Sequence, residues 1–273
     1  MIDIEGFKIL EEKHPIDLSR FVDKKDRDIH GFVFKIVNKV GALRELLDVF
    51  AKHNINILNL TISKPGFSAS SSILVYLDFT DSKITPEKLL EEMKIYSNVE
   101  DSIHINPIRK GLVVDTYHFP IEVNSQRVVI FRKPILKRFF QSFKVRFGTV
   151  ANSFLYFLGF NVGREAYISH SEILGSQDPK GILEMFKSLL MGMSWGYPEI
   201  SRIDYEKKEI TLRVFKLFEC EIANEHSVPT SHFLRGVFSG YFTAFFKKRI
   251  YTIERKCINM DDDFCEFYLR PIG

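Results

Sequence analysis

The chain has 273 residues, 45% apolar and 27% charged, and its 38 basic and 35 acidic side chains leave a net charge of +3. That length suggests two domains, and the charge balance gives no electrostatic reason to expect nucleic acid or a membrane as partner. No apolar run reaches membrane-span length, and Met1-Ile-Asp-Ile-Glu lacks a secretory start, so a cytoplasmic protein is expected, with its three cysteines as thiols or metal ligands rather than a disulfide framework.

Residues 1–30 read as an N-terminal arm, with Phe7–Leu10 as a candidate extra strand and Asp23-Lys-Lys-Asp-Arg-Asp28 as a solvated charged turn. Gly31–Val37 is then a strand candidate, and Gly41–His53 carries Leu43, Leu46, Leu47 and Phe50 at the spacing of a one-sided helix. Ile55–Ser63 and Ser72–Thr80 alternate as strands. Thr85-Pro86 supplies an N-cap and first-turn proline for a helix through Leu89, Leu90 and Met93, and a strand through Val99, Ile103 and Ile105 closes the series. The order βαββαβ over 31–107 predicts the ferredoxin-like arrangement, an antiparallel sheet with two helices on one face.

The string Val37-Asn-Lys-Val-Gly-Ala-Leu-Arg-Glu-Leu-Leu-Asp-Val-Phe-Ala-Lys-His-Asn-Ile-Asn-Ile57 resembles the signature of an ACT domain, covering roughly 31–106. The resemblance implies pairing with a neighbouring ACT domain. It also implies binding of an amino acid or similar effector by the loop before the first helix, with Asn38, Gly41 and Ala42 as its residues; exposed N–H groups at a helix N-terminus suit a carboxylate. The family commonly has proline before the glycine, where this chain has Val40. A domain that only dimerises is the alternative.

Asn106-Pro-Ile-Arg-Lys-Gly111 reads as a linker, which places a second domain at 112–273. Pro134 opens a helix through Phe143, with Arg132, Lys133, Lys137, Arg138 and Lys144 around it, and a core-facing helix with a solvated basic side is expected. Gly148–Gly163 is apolar and ring-rich, and Asp178–Met193 is amphipathic. Ile200–Asp204 and Glu209–Cys220 form a hairpin across Glu206-Lys-Lys208. Along a helix at Ser231–Lys248, Gly236, Gly240 and Ala244 share one face, which suits close helix-on-sheet packing or a pocket wall. Strands Ile250–Asn259 and Phe264–Arg270, turning at Asp261–Asp263, bring Cys257 and Cys265 opposite each other with Cβ atoms about 5 Å apart.

Thr230-Ser-His-Phe-Leu-Arg-Gly-Val-Phe-Ser-Gly-Tyr-Phe-Thr-Ala244 and the Glu-x2-Cys-x7-Cys string of Glu254, Cys257 and Cys265 resemble the 4-vinyl reductase-like small-molecule-binding domain; Gly148–Gly163 fits its earlier helix. The resemblance implies a mixed α/β domain with an antiparallel sheet, so that the whole chain is α+β. It further implies homodimers and a small apolar or aromatic ligand; a pocket for it is expected between the Gly148–Gly163 helix and the last helix, lined by Tyr241, which matches the aromatic-sensing members, and by Phe154 and Phe157, with Trp195 as a further contributor. In the aromatic-sensing members a structural zinc is held by one cysteine at the start of the last helix, a glutamate and two hairpin cysteines. Glu254, Cys257 and Cys265 match, whereas Ser231 stands at the fourth position, so a full site needs Cys220, His232, Glu266 or water. Glu254 and Cys257 also differ in strand parity, which demands a bulge if they are to meet. Bound zinc, free buried thiols and a Cys257–Cys265 disulfide stay open.

Catalytic signals are lacking. Ser231-His232 are only sequence neighbours, Gly236-Val-Phe-Ser-Gly240 sits inside a helical pattern, and no phosphate loop or dinucleotide fingerprint is present. The expectation is a ligand-sensing regulatory protein, not an enzyme, with a separate output partner and no nucleic-acid or membrane contact. The alternatives are an enzyme or accessory factor acting on a hydrophobic or tetrapyrrole substrate, and a purely structural dimerisation protein.

Overall fold

The computed structural model describes residues 15–64, 68–223 and 228–272; the strand expected at Phe7–Leu10 lies outside the described residues. The chain divides into two compact units, Met1–Val129 and Ile130–Gly273. The division falls later than the boundary expected at Asn106–Gly111.

In the first unit, β1 (Phe21–Asp23) and β2 (Ile29–Val37) precede α1 (Ala42–Lys52). β3 (Asn56–Ile62), β4 (Ser70–Asp78), α2 (Pro86–Met93), β5 (Val99–Ile105) and β6 (Leu112–Val114) follow, then a small hairpin of β7 (Glu122–Val123) and β8 (Gln126–Arg127). The antiparallel sheet β3-β4-β2-β5 is the ferredoxin-like order that the pattern predicts. Phe32, Phe34 and Ile36 bury one sheet face against Leu46, Phe50, Leu89 and Met93 of the helices. The other face, through Val33, Leu74, Tyr76 and Ile105, packs on Val22 and Val113, which lie on the ribbon formed by β1 and β6. Burial on both faces explains the unbroken apolar runs Phe32–Phe34 and Ile73–Leu77. It also explains why Leu112–Val114 stays with the first unit.

Thr85 caps α2, its hydroxyl accepting from the Lys88 N–H at 3.4 Å. Gly41 precedes α1 at φ 92°, a left-handed conformation that glycine adopts without a Cβ clash. Beside it, the Asn38 amide donates to the Ser68 carbonyl and the Ala42 N–H to the Lys39 carbonyl, so two groups of the expected effector loop serve the turn itself.

At the other end of the sheet, His30 and His104 are joined ring to ring at 2.9 Å, and His30 Nε2 lies 3.1 Å from Asp28 Oδ1. Burial, and then the neighbouring His30, hold His104 below its ordinary value of 6.5. Below that pH the unfolded chain takes up a proton that the folded one resists. The stability from this pair is therefore complete above 6.5 and is lost as pH falls from there toward the folded value. Thermal melts between pH 8 and pH 5 are expected to show a smaller acid-induced loss for His104→Phe than for wild type; equal losses would remove His104 as the cause.

The second unit contains α3 (Lys133–Phe147), α4 (Thr149–Leu174), α5 (Pro179–Gly192), β9 (Tyr197–Asp204), β10 (Glu209–Phe215), α6 (Phe218–Ile222), α7 (His232–Phe246), β11 (Ile250–Lys256) and β12 (Cys265–Pro271). An antiparallel sheet β11-β12-β10-β9 is formed, and the whole chain is α+β. The core joins Leu212, Val214, Phe267 and Leu269 of this sheet to Phe186 of α5 and to Val237, Phe238 and Phe242 of α7. The glycines of α7 meet a helix rather than the sheet: a Cβ at Gly236 or Gly240 would run into the carbonyl oxygens of Tyr156 and Phe160 on α4, and Gly159 and Gly163 face Phe233 and Val237 in return. The expected core-facing α3 meets only a small core, where Phe140 packs with Leu155 and Ile222 and Leu136 lies against them; among its described residues Phe140 alone is buried.

Candidate metal centre

β10 ends at Phe215, Lys216 turns at φ 50°, and α6 follows. Cys220 therefore sits on a one-turn helix, not on the strand expected to reach it. The α6 segment folds against the last hairpin, where Asn259 Nδ2 donates to the Cys220 carbonyl at 3.1 Å and to Thr230 Oγ1 at 2.7 Å. In that hairpin Lys256 pairs with Glu266, and the pairing is irregular between Glu254 and Lys256. This bulge resolves the parity conflict, since Glu254 and Cys257 both turn inward. Past Cys257 the chain makes a 3-10 turn, Ile258–Met260, held where Asp262 Oδ2 accepts the Cys257 N–H at 2.9 Å.

The outcome is a buried cluster of Cys220, Glu254, Cys257 and Cys265 whose ligand atoms all lie within 4.8 Å of one another. Cys220 Sγ is 3.4 Å from Cys265 Sγ, 3.6 Å from Cys257 Sγ and 4.0 Å from Glu254 Oε1. Sulfurs around a tetrahedral zinc stand roughly 3.8 Å apart, given Zn–S bonds of about 2.3 Å. All three cysteines are free thiols. Hydrogen bonds to Cys257 and Cys265, and then burial, push the Cys220 thiol up, while its hydrogen bond pulls the Cys257 thiol down. Burial pushes the Glu254 carboxyl up to about 8. Without a cation the four donors must share protons; a divalent cation replaces those protons and lets every donor act as an anion. Number, burial and spacing of the donors fit a closed, structural metal site.

Cys220 occupies the corner at which the sequence pattern has Ser231. Ser231 is buried beside the cluster; its N–H donates to Glu254 Oε2 at 3.3 Å, but its hydroxyl has no hydrogen-bond partner among the described residues. Glu219, which sequence reasoning passed over, is 2% exposed, and its two oxygens accept the Phe233 and Leu234 N–H groups at 2.9 and 2.8 Å. It thus caps the N-terminus of α7, where a carboxylate also meets the helix dipole favourably. Burial still pushes that carboxyl up to about 7. The signal was present in Phe218-Glu-Cys-Glu-Ile222, two apolar ends around two acids and a cysteine, but five residues carry no readable period.

The structure does not bring the expected ligand residues together. Tyr241 is fully buried; its hydroxyl donates to the Ile182 carbonyl and meets His170 Nδ1 at 3.0 Å, and its ring packs on Phe186 at 4.8 Å. Phe154 and Phe157 point outward from α4, and Trp195 lies against Phe218 and Phe233. A cavity of about 770 Å³ lies instead between α3 and α6, lined by Arg138, Phe140, Lys144, Glu219, Ile222 and Thr230 among others.

No protein-family model matches the chain. An uncharacterized protein of Methanocaldococcus jannaschii is 23% identical over 123 residues, which are 45% of this chain and 66% of that protein, so the chain spans just under two thirds of that relative's length. Among solved structures, the phenol-responsive sensory domain of the transcription activator PoxR, with phenol, is similar at a TM-score of 0.51 and 17% identity, covering 56% of this chain and 80% of that one. A vinyl-4-reductase family protein from Methanocaldococcus jannaschii is similar at a TM-score of 0.37 and 17% identity, covering 54% and 85%. The likeness to the sensory domain is one of fold.

Proposed function

We propose that the chain is a ligand-sensing regulatory protein and not an enzyme. Its second unit holds a structural zinc at Cys220, Glu254, Cys257 and Cys265 and binds a small apolar or aromatic molecule. Its ACT-like first unit pairs subunits of a homodimer or takes an amino-acid effector at the loop of Asn38, Gly41 and Ala42, and a separate partner carries the output. The observation that carries this reading is the buried cluster of three cysteines and one glutamate, set in a fold shared with a phenol-responsive sensory domain.

When bound, zinc supplies folding free energy and ties α6 to both strands of the last hairpin. The ligand compartment is the cavity beside α6. Phe140 and Ile222 give it apolar walls, and Glu219 is among the residues that line it. Glu219 caps α7 and precedes Cys220 in the chain, so a molecule that shifts α6 reaches both the α7 cap and one corner of the metal site. That is a physical route from occupancy to the last helix and hairpin.

Native mass spectrometry of protein purified without chelator tests the reading. Dimers with one zinc per chain are expected, together with saturable binding of phenol or indole that Ile222→Arg abolishes by filling the cavity. Metal-free dimers or monomers of unchanged stability, with no saturable binding of either probe, would sink it.

A further inference from the structure

The segment Arg132–Phe147 contains six basic residues and no acid, and α3 exposes apolar side chains alongside them. Ile135 is 52% exposed, Phe139 60% and Val145 88%, while Arg138 and Arg146 are exposed on the same outward side of the helix. Phe131, just before the helix, is exposed as well. Lys133 pairs with Glu221 at 3.0 Å, and Glu219 is buried on the α7 N-terminus. The surface continues onto α4, where Thr149–Gly163 carries no charge at all and Val150, Phe154 and Phe157 stand outward. Rings of Phe143, Phe147 and Phe154, 4.8 to 5.1 Å apart, join the two helices at the intervening turn.

An apolar patch of this breadth marks a contact surface, and its charge selects the partner. A second copy docked by two-fold symmetry would set one basic strip against another. A nucleic acid would engage the cations and leave Ile135, Phe139 and Val145 in water. Both features are met where an amphipathic helix lies in the plane of an anionic bilayer, its cations among the head groups and its rings at the acyl boundary. We infer that the outward face of α3, extended by the first turns of α4, docks the protein peripherally on an anionic lipid surface. No helix among the described residues is long and apolar enough to cross a membrane, so the contact is with one leaflet. It goes beyond the sensing role: Ile135 and Phe139 do not line the α3–α6 cavity, whereas Arg138, Val145 and Arg146 border both the cavity and this face.

Co-sedimentation of the full chain with phosphatidylcholine vesicles, with and without phosphatidylserine, tests the inference. Binding is expected only with phosphatidylserine. Each basic residue near such a surface raises partitioning about fivefold, so Arg138→Glu with Arg146→Glu should lower it at least about 25-fold. Raised salt should weaken binding of wild type without abolishing it, because the buried rings are not screened; Ile135→Ser with Phe139→Ser should remove that salt-resistant part. All four positions are exposed, and unchanged thermal melts of both double variants confirm that folding is intact. Three outcomes overturn the inference. One is no binding to phosphatidylserine vesicles, and a second is equal binding by the Arg138→Glu, Arg146→Glu variant. The third is a dimer in sedimentation velocity that Ile135→Ser with Phe139→Ser splits, which would make the face a subunit seam.

Discussion

Gly163→Ala is expected to lower the melting temperature of the second unit by roughly 10 °C, and Gly240→Ala by a similar amount. Gly159 and Gly163 on α4 and Gly236 and Gly240 on α7 are each four residues apart, so each pair lies on one helix face. Every one of them has a carbonyl oxygen of the other helix where its Cβ would stand. Ordinary overpacking costs about 1–3 kcal/mol because neighbouring side chains yield. Here the obstacle is backbone inside a hydrogen-bonded helix, so the two helices must part, and Val237, Phe238 and Tyr241 lose packing with them. About 3 kcal/mol or more follows, at roughly 2–4 °C per kcal/mol for a chain of this size class. The double variant Gly163→Ala, Gly240→Ala should lose less than the sum, because one separation serves both methyl groups. Gly192→Ala is the control: its Cβ meets nothing within 4 Å and its φ is not positive, so it should melt at or slightly above wild type. Wild-type melting of Gly163→Ala would show that the helices do not cross this closely.

The sequence makes some of this legible and hides the rest for identifiable reasons. Elements from β2 to β5 are readable because their periods alternate between 3.6 and 2, with Thr85-Pro86 marking a helix start that the structure keeps. The ribbon of β1 and β6 is not, because three-residue strands carry no period. Its trace is indirect, in the apolar runs Phe32–Phe34 and Ile73–Leu77, which need cover on both faces. The spacing of Gly236 and Gly240 shows that something approaches closely, yet it took α4 to show what, although Gly159 and Gly163 repeat that spacing. For α3 the amphipathic pattern is plain, but a pattern does not tell whether the apolar side meets a core or solvent. At the metal centre Glu254, Cys257 and Cys265 are local in the chain and therefore readable. Cys220 is brought in by α6, and its claim over Ser231 is decided by tertiary structure alone.

With zinc at the cluster as proposed, Cys220→Ala is expected to release the metal and to drop the melting temperature of the second unit by more than about 10 °C. Structural zinc contributes about 10–16 kcal/mol of apparent binding free energy in small domains, whereas a buried cysteine acting only as a small hydrophobe is worth about 1–2 kcal/mol of packing. Losing one of four donors leaves three anions-to-be in a closed interior, so the weakened site either gives up zinc or admits water. Cys257→Ala and Cys265→Ala should behave alike, and chelator should move wild type toward all three. Ser231 supplies the sharper discrimination. If Cys220 holds the fourth corner, Ser231→Cys should add no zinc in the wild-type background. In the Cys220→Ala background the same substitution should restore it, because the Ser231 hydroxyl is buried beside Glu254 with no hydrogen-bond partner among the described residues. Zinc content by elemental analysis and the melting temperature must recover together. Cys220→Ala protein that keeps a full equivalent of zinc and melts like wild type would return the three cysteines to the role of core residues.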